Sequence, residues 1–520
     1  MAGSKTFYLC YDLKGIQSFI FAVPRLRFIC GGSAMIDRFD REIVPAVVVP
    51  GSILIFSGGG KGAYQCDSTE IAAKVQSELV RKAHEDGMGI CFGLHQDYTE
   101  ASHIADRNFP YLPDSGELDG HPCQESGLFP AKQKMHPKIS RRIWDKGSRM
   151  DRYFEETLLK GLLLPTGYES DKIEFFHDVS NDAQDGVMAC KALGSRNRWA
   201  IIAMDVNDMG AQHRKASEKM KNNVPANTAW LGRMSKALDD CCRNACRDGI
   251  QKVIEDWCPE ERREASSGSV TILPVRPLLV GGDDIVVLCH VAHAVSFVQT
   301  VCASFEERSR RLAEEARKDG VELWPATNGG LTISAGILFA PVSLPLSSAI
   351  AYADALLASA KGEGRKKAKG TENGPTPACL DWESVTEGLI DTPHARRQRE
   401  LVFQDKDIGE TVELSRRPYC LGDLGKLQKL MAKYREIPSS IRHQVLEGLH
   451  AGYWDRQVFS ARLGKNQPEL MKEIEEGEIP EKPAGRWTRE KSGDLFKRHT
   501  DVVDAMLLIE EDTRMTWMTA

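Results

Sequence analysis

Gly281-Gly282-Asp283-Asp284 stands between two apolar runs, Leu278-Leu279-Val280 before it and Ile285-Val286-Val287-Leu288 after it. Apolar runs on either side of a glycine turn read as the two strands of a tight hairpin. Glycine permits the sharp reversal and leaves the turn bare enough for a triphosphate to come close. The adjacent aspartates at the tip supply the hard oxygen ligands that magnesium prefers. Such a hairpin can work only beside a neighbouring strand that brings a further carboxylate, and this requirement limits the folds open to the chain.

A strand of that kind is present. Trp199-Ala200-Ile201-Ile202-Ala203-Met204 is apolar throughout and runs into Asp205-Val206-Asn207-Asp208-Met209-Gly210. The pattern predicts a buried strand with Asp205 at its tip, followed by a helix over about Asn227 to Cys258 and then the hairpin. Asp205, Asp283 and Asp284 are therefore the expected catalytic and metal-binding residues. Three carboxylates can hold two Mg2+ (or Mn2+) ions, which activate a hydroxyl and neutralise a leaving pyrophosphate. Asn207 and Ser334 lie on segments expected to face this site and are candidates for contact with base or phosphate. A further buried strand, Leu331 to Phe339, precedes a helix that includes Ala349 to Leu357 and runs into Ala360-Lys361-Gly362-Glu363-Gly364-Arg365. This order resembles nucleotide cyclases of the diguanylate-cyclase type. By that resemblance Lys361 reaches the triphosphate as a point charge.

The N-terminal part repeats the plan. Tyr8 to Phe21 includes Asp12-Leu13-Lys14-Gly15-Ile16-Gln17-Ser18-Phe19-Ile20-Phe21, and Ile53-Leu54-Ile55-Phe56 leads into Ser57-Gly58-Gly59-Gly60-Lys61. The second hairpin is glycine-rich but has no acids, as expected of an internal duplication with one degenerate copy. Asp-x-x-Gly-Ile-Gln-x-Phe-Ile-Phe in the first copy and Gly-Gly-Asp-Asp in the second together resemble the large polymerase/cyclase subunit of type III CRISPR effector complexes. Leu414 to Cys420 and the helix opened by Ile437-Pro438-Ser439-Ser440 resemble that subunit's terminal helical domain.

The resemblance implies an α/β (α+β) chain: two ferredoxin-like palm/nucleotide-cyclase domains in tandem and a C-terminal helical domain. It implies Mg-dependent conversion of ATP into cyclic oligoadenylates, second messengers of antiviral defence. Under it Asp205, Asp283 and Asp284 carry over as metal ligands, and Gly281 and Gly282 as the turn beside the phosphates. Ser57, Gly58, Gly59 and Gly60 would help hold a second nucleotide. The implied partners are CRISPR complex subunits with guide and target RNA; a homo-oligomer is the alternative. Two other functions stay open: a stand-alone synthase using another nucleoside triphosphate, and a non-catalytic scaffold of an RNA-guided complex. The chain reads as a short form without an N-terminal His-Asp nuclease domain, and His177-Asp178 reads as a surface polar pair.

The expected boundaries are 1–165 for the degenerate palm, 166–195 for a connecting segment, 196–370 for the acidic palm and 371–520 for the helical domain. A polar stretch from Phe109 to Lys134 reads as a loop. With 42 % hydrophobic and 27 % charged residues, the chain has the composition of a globular protein, and its net charge of −6 argues against a broadly basic nucleic-acid binder. No apolar stretch is long enough to span a bilayer, and the N-terminus lacks the layout of a secretory signal. A cytoplasmic protein without membrane contact is expected. The 14 cysteines then read as thiols. Zinc is not expected: Cys241, Cys242, Cys246 and Cys258, and Cys91, His95, His121 and Cys123, do not form paired knuckles.

Overall fold

The structure is a computed structural model that describes residues 6–20, 26–111, 133–134, 143–144, 163, 173–176, 198–219, 224–257, 266–267, 270–327, 329–369, 374–386, 391–405, 409–450, 488–492, 495–499 and 501–513. The run Trp199–Met204 is buried residue after residue, so this strand needs cover on both faces and neighbours on both edges. It has all of these. Strand β5 (Arg198–Val206) pairs antiparallel with β7 (Asp284–Cys289) on one side and with β8 (Ile333–Pro341) on the other. Strand β6 (Val275–Gly281) completes the hairpin with β7. β9 (Cys379–Ser384) and β12 (Tyr419–Cys420) extend the far edge, giving the order β6-β7-β5-β8-β9-β12.

The N-terminal sheet has the same plan. Strands β1 (Phe7–Leu13), β2 (Ser52–Gly58), β3 (Lys61–Cys66) and β4 (Ile90–His95) lie in the order β2-β3-β1-β4. This matches β6-β7-β5-β8 strand for strand. The hairpins agree as well, since Gly58 pairs with Lys61 as Gly281 pairs with Asp284. Even the irregularity repeats: the register slips between Leu54 and Phe56 in one hairpin and between Pro277 and Leu279 in the other. A bulge at the same place in both copies is a structural feature of duplication, because bulges are retained as built elements of a sheet.

Helices fill the crossovers. The N-terminal copy has α1 (Leu26–Arg38), α2 (Thr69–Glu85) and α3 (Tyr98–Arg107). The second copy has α4 (Met209–Lys219), α5 (Val224–Asp256), α6 (Ala294–Lys318) and α7 (Leu346–Ala368). α5 and α6 pack together, and α7 covers β8 and β5. The helix contacts cross between copies reciprocally: α5 packs on β2, and α1 packs on β6. Gly232 of α5 is close enough that a Cβ there would lie 2.7 Å from the Ile55 carbonyl oxygen. Asp37, Arg41, Asp239 and Arg243 close a ring of alternating charge over this junction. One continuous hydrophobic core joins both copies.

The C-terminal region contains the expected helices, α8 (Leu424–Arg435), α9 (Ser439–His450) and α10 (Val502–Thr513). It is not helical throughout, which corrects the sequence expectation. β9 and β12 belong to the palm sheet, and β10 (Val402–Asp405), β11 (Glu410–Glu413), β13 (Thr488–Ser492) and β14 (Leu495–His499) form a sheet of order β10-β11-β14-β13. These strands are short and charged, so they carry no apolar alternation to give them away. Val412, Tyr434, Val445, Val503 and Ile509 belong to a separate small core. A buried Arg198–Glu511 ion pair at 2.8 Å ties α10 to the start of β5. Among the described residues, no helix is long and apolar enough to cross a membrane.

The close approach of α7 to β8 depends on Gly336, where a Cβ would lie 2.3 Å from the Ala353 carbonyl oxygen and 2.4 Å from the Leu357 nitrogen. Gly93 meets α3 in the same way in the first copy. Both contacts are with backbone, which cannot swing aside. Gly336→Ala is expected to lower the unfolding free energy by about 3 kcal/mol in chemical denaturation. An unchanged midpoint would contradict the packing described here.

Candidate functional site

Strand register decides which side chains meet. β5 against β7 pairs Asp205 with Asp284, and β5 against β8 pairs Asp205 with Ser334. Directly paired residues share a face of the sheet, so Asp284, Asp205 and Ser334 form a row across three strands. Ser334 shares its face with Gly336, two residues on, so the row lies on the side covered by α7. Asp283 occupies the turn, and its carbonyl oxygen accepts a hydrogen bond from the Val206 N–H at 3.2 Å. Gly282 has φ +62°. Asp283 is not among the residues with positive φ, so this is the II′ pattern, which places glycine at the first central position.

The carboxylates crowd one another. Asp284 reaches solvent, yet partial desolvation in the cleft, then the charges of Asp283, Asp205 and Asp354, push its carboxyl up to about 7, with Lys361 opposing. Burial raises Asp205 too, against the pull of Lys361. The Lys361 ammonium lies 2.6 Å from Asp205 Oδ2 and donates to the Val206 carbonyl oxygen at 2.9 Å. An oxygen-only donor set with surplus negative charge suits a hard divalent cation. Among the described residues no three metal-binding side chains already surround one point, and Asp205 is turned to Lys361. The acids form an open set.

Asn207 and Ser334 were expected to face a ligand; the structure places them inside. Ser334 is fully buried and Asn207 is nearly so. The Asn207 amide donates to Thr332 Oγ1 at 2.8 Å and to Ser334 Oγ at 3.0 Å, and Ser334 Oγ donates back to Asn207 Oδ1 at 3.2 Å. Their bonding capacity is spent on fixing the loop after β5.

The first copy sets an ammonium where the second sets a carboxylate. Asp12 pairs with Lys61 across β1 and β3, as Asp205 pairs with Asp284. Lys61 lies 3.6 Å from Asp12, which also ion-pairs with Lys14. Ser57 and Gly60 point inward as well, contrary to a ligand-facing role. Ser57 Oγ donates to Asp40 at 3.0 Å, and the Gly60 N–H donates to the same carboxylate at 2.7 Å. Gly58 packs near Ser235. Gly59 alone of this turn faces the other hairpin: a Cβ on Gly282 would lie 3.7 Å from Gly59 Cα. The two glycine turns, distant in sequence, meet tip to tip.

Residues 198–369 match the family model described as Cas10/Cmr2, second palm domain. That segment is similar to a Cas10/Cmr2 palm. No curated protein matches it significantly. Solved structures that resemble it include a Csm1-Csm4 cassette in complex with cA4, at 15 % identity and TM-score 0.38, covering 69 % of this chain and 53 % of the other. The Csm1-Csm4 subcomplex of a type III-A CRISPR-Csm interference complex gives 14 %, 0.41, 69 % and 54 %. The cassette with one ATP gives 15 %, 0.40, 69 % and 54 %. The chain therefore spans about half the length of these solved chains.

The palm also brings to the site residues to which the motifs gave no role. Asp354 lies seven residues before Lys361 on α7, and Arg365 lies four after it, so all three share a helical face. The spacing was readable; the proximity of that face to Asp205 was not. His213 on α4 senses both Asp283 and Lys61, while burial lowers its pKa. Asp208 has φ +66° and is held by Thr376, whose N–H and Oγ1 donate to it at 2.8 and 2.7 Å. Of the zinc candidates, Cys91, Cys241, Cys242 and Cys246 are buried thiols. Cys258, His121 and Cys123 lie outside the described residues, as do His177 and Asp178.

The raised Asp284 carboxyl has a consequence for stability. Its folded value, about 7, exceeds the ordinary 3.8, so the folded state holds a proton that the unfolded state has lost. Stability therefore falls as pH rises through that window. Without divalent cations, Asp284→Asn is expected to raise Tm at pH 8 and to leave it nearly unchanged at pH 4. Equal shifts at both pH values in thermal melts would refute the crowding of these acids.

Proposed function

We propose that this chain is a nucleotidyltransferase that joins ATP into cyclic oligoadenylates, acting in CRISPR-type defence with its complex partners. The observation that carries the reading is the pairing of Asp205 with Asp284 beside a glycine turn, within a segment matching the Cas10/Cmr2 palm. Asp205, Asp283 and Asp284 are the residues that would hold magnesium or manganese. Bound there, such cations supply charge neutralisation to a triphosphate and lower the pKa of an attacking hydroxyl.

The chain's own groups account for the rest. Gly281 and Gly282 leave the first half of the turn without side chains, so phosphate oxygens can lie against the backbone there. Lys361 adds a mobile positive charge from the opposite wall; now paired with Asp205, it is placed to exchange that partner for phosphate. Asn207, Ser334 and the Asp208–Thr376 clasp hold the strand tip still, which matters because phosphoryl transfer is catalysed chiefly by positioning and charge. The meeting of the Gly59 and Gly282 turns supports a cleft between the copies as the place where two nucleotides approach. Lys61 supplies cationic charge on the degenerate side.

Purified protein incubated with each nucleoside triphosphate and Mg2+, with target RNA and partner subunits added in parallel, should yield cyclic adenylate products by mass spectrometry. Replacing Asp283 and Asp284 together by alanine should reduce product at least about 100-fold while the melting curve stays cooperative. Full activity in that double variant would overturn the site. A product built from another nucleotide would overturn the base assignment and keep the site.

A further inference from the structure

A pair of cysteines stands apart from the acidic site, at the far edge of the same sheet. Strands β9 and β12 are antiparallel, with Cys379 opposite Cys420 and Leu380 opposite Tyr419. The Leu421 N–H donates to the Ala378 carbonyl oxygen at 2.9 Å. The neighbouring pair is thus the hydrogen-bonded one, and Cys379 and Cys420 occupy a non-hydrogen-bonded site. At such sites the Cα atoms come to about 4.5 Å and the side chains are closest. That separation falls within the roughly 4.4–6.8 Å range that a disulfide can bridge. The two Sγ atoms are already 3.1 Å apart.

The surroundings favour reaction between these sulfurs over other fates. Cys379 is fully buried, while Cys420 is 9 % exposed. Ala360 of α7 packs with the pair, and a Cβ at Gly364 would lie 3.6 Å from Cys379 Sγ. The hydrogen bond from Cys379 pulls the Cys420 thiol down to about 7; burial opposes this, and Lys367 assists. That same bond, then burial, pushes Cys379 up. Cys420 is the less enclosed of two buried thiols and the nucleophile of the pair, with Cys379 beside it.

We propose that Cys379 and Cys420 form a redox-active dithiol that hydrogen peroxide converts to a cross-strand disulfide. The Cys420 thiolate attacks one peroxide oxygen; the S–O bond forms, the O–O bond breaks, and hydroxide leaves to take up a proton as water. Cys379 sulfur then attacks Cys420 sulfur, losing its proton as the S–O bond breaks and a second water departs. The two sulfurs are oxidised by two electrons and one peroxide is reduced to two waters. The new bond ties β12, which leads into α8, to β9. The Cys379 N–H in turn donates to Ser334 Oγ at 3.2 Å, in the row that contains Asp205.

The test treats the full chain with hydrogen peroxide, alkylates remaining thiols under denaturing conditions, and maps peptides by mass spectrometry. The expected product is a linked peptide pair containing Cys379 and Cys420, lighter by two hydrogens and reversed by dithiothreitol. Cys379→Ser should instead leave Cys420 as a sulfenic acid that dimedone captures. The proposal is overturned if both thiols remain alkylatable in wild-type protein after exposure that oxidises other cysteines. It is equally overturned if either is found bonded to a different partner. The wild-type map decides the matter even if the variant fails to fold.

Discussion

The register between β5 and β7 decides where the acids at the strand tips lie. A strand's side chains alternate with period two, so a slip by one residue would turn Asp205 away from Asp284 and aim apolar groups into the cleft. The slip is prevented by burial. Trp199 to Met204 and Ile285 to Cys289 are enclosed on both faces, and every displaced side chain would lose its packing. The acids at the strand tips are held by hydrophobic contacts that lie one or more residues behind them, not by attraction to each other. Left to themselves they repel, and this repulsion adds to desolvation in holding the Asp284 carboxyl high.

Duplication explains how such an unfavourable cluster is braced. Two sheets of one order face each other through their hairpins, with α5 and α1 exchanged across the junction. The first copy has replaced the repulsive acid pair with Asp12 and Lys61, and it anchors its turn from beneath through the buried Asp40 carboxylate. A copy that is content without a cation makes a firm wall. The other copy keeps its surplus charge and so a reason to bind one.

The sequence showed the acidic hairpin, its strand partner and the repeated plan, because each is a local pattern of apolar run, glycine and acid. It did not show what Asn207, Ser334 and Ser57 touch, since a polar residue near a site reads alike whether it faces a ligand or a neighbour. Their partners arrive from other segments: Thr332 lies far along the chain from Asn207, and Asp40 precedes the strand that carries Ser57. The strands of the C-terminal sheet were hidden for a related reason. Glu410–Glu413 pairs with Leu495–His499 across a wide separation, and neither segment alone has a strand's alternation. Lys361 was placed at the triphosphate by resemblance; the structure adds that its present partner is Asp205.

The proposed function stands on Asp205, Asp283 and Asp284 converging to hold a divalent cation. Anomalous diffraction from crystals grown with manganese and a non-hydrolysable ATP analogue addresses it directly. The expected result is a manganese peak beside Asp205 and the Asp283–Asp284 turn, with Lys361 released from Asp205 toward phosphate. Manganese bound elsewhere, with the Lys361–Asp205 pair intact and the analogue absent from the cleft, would contradict it.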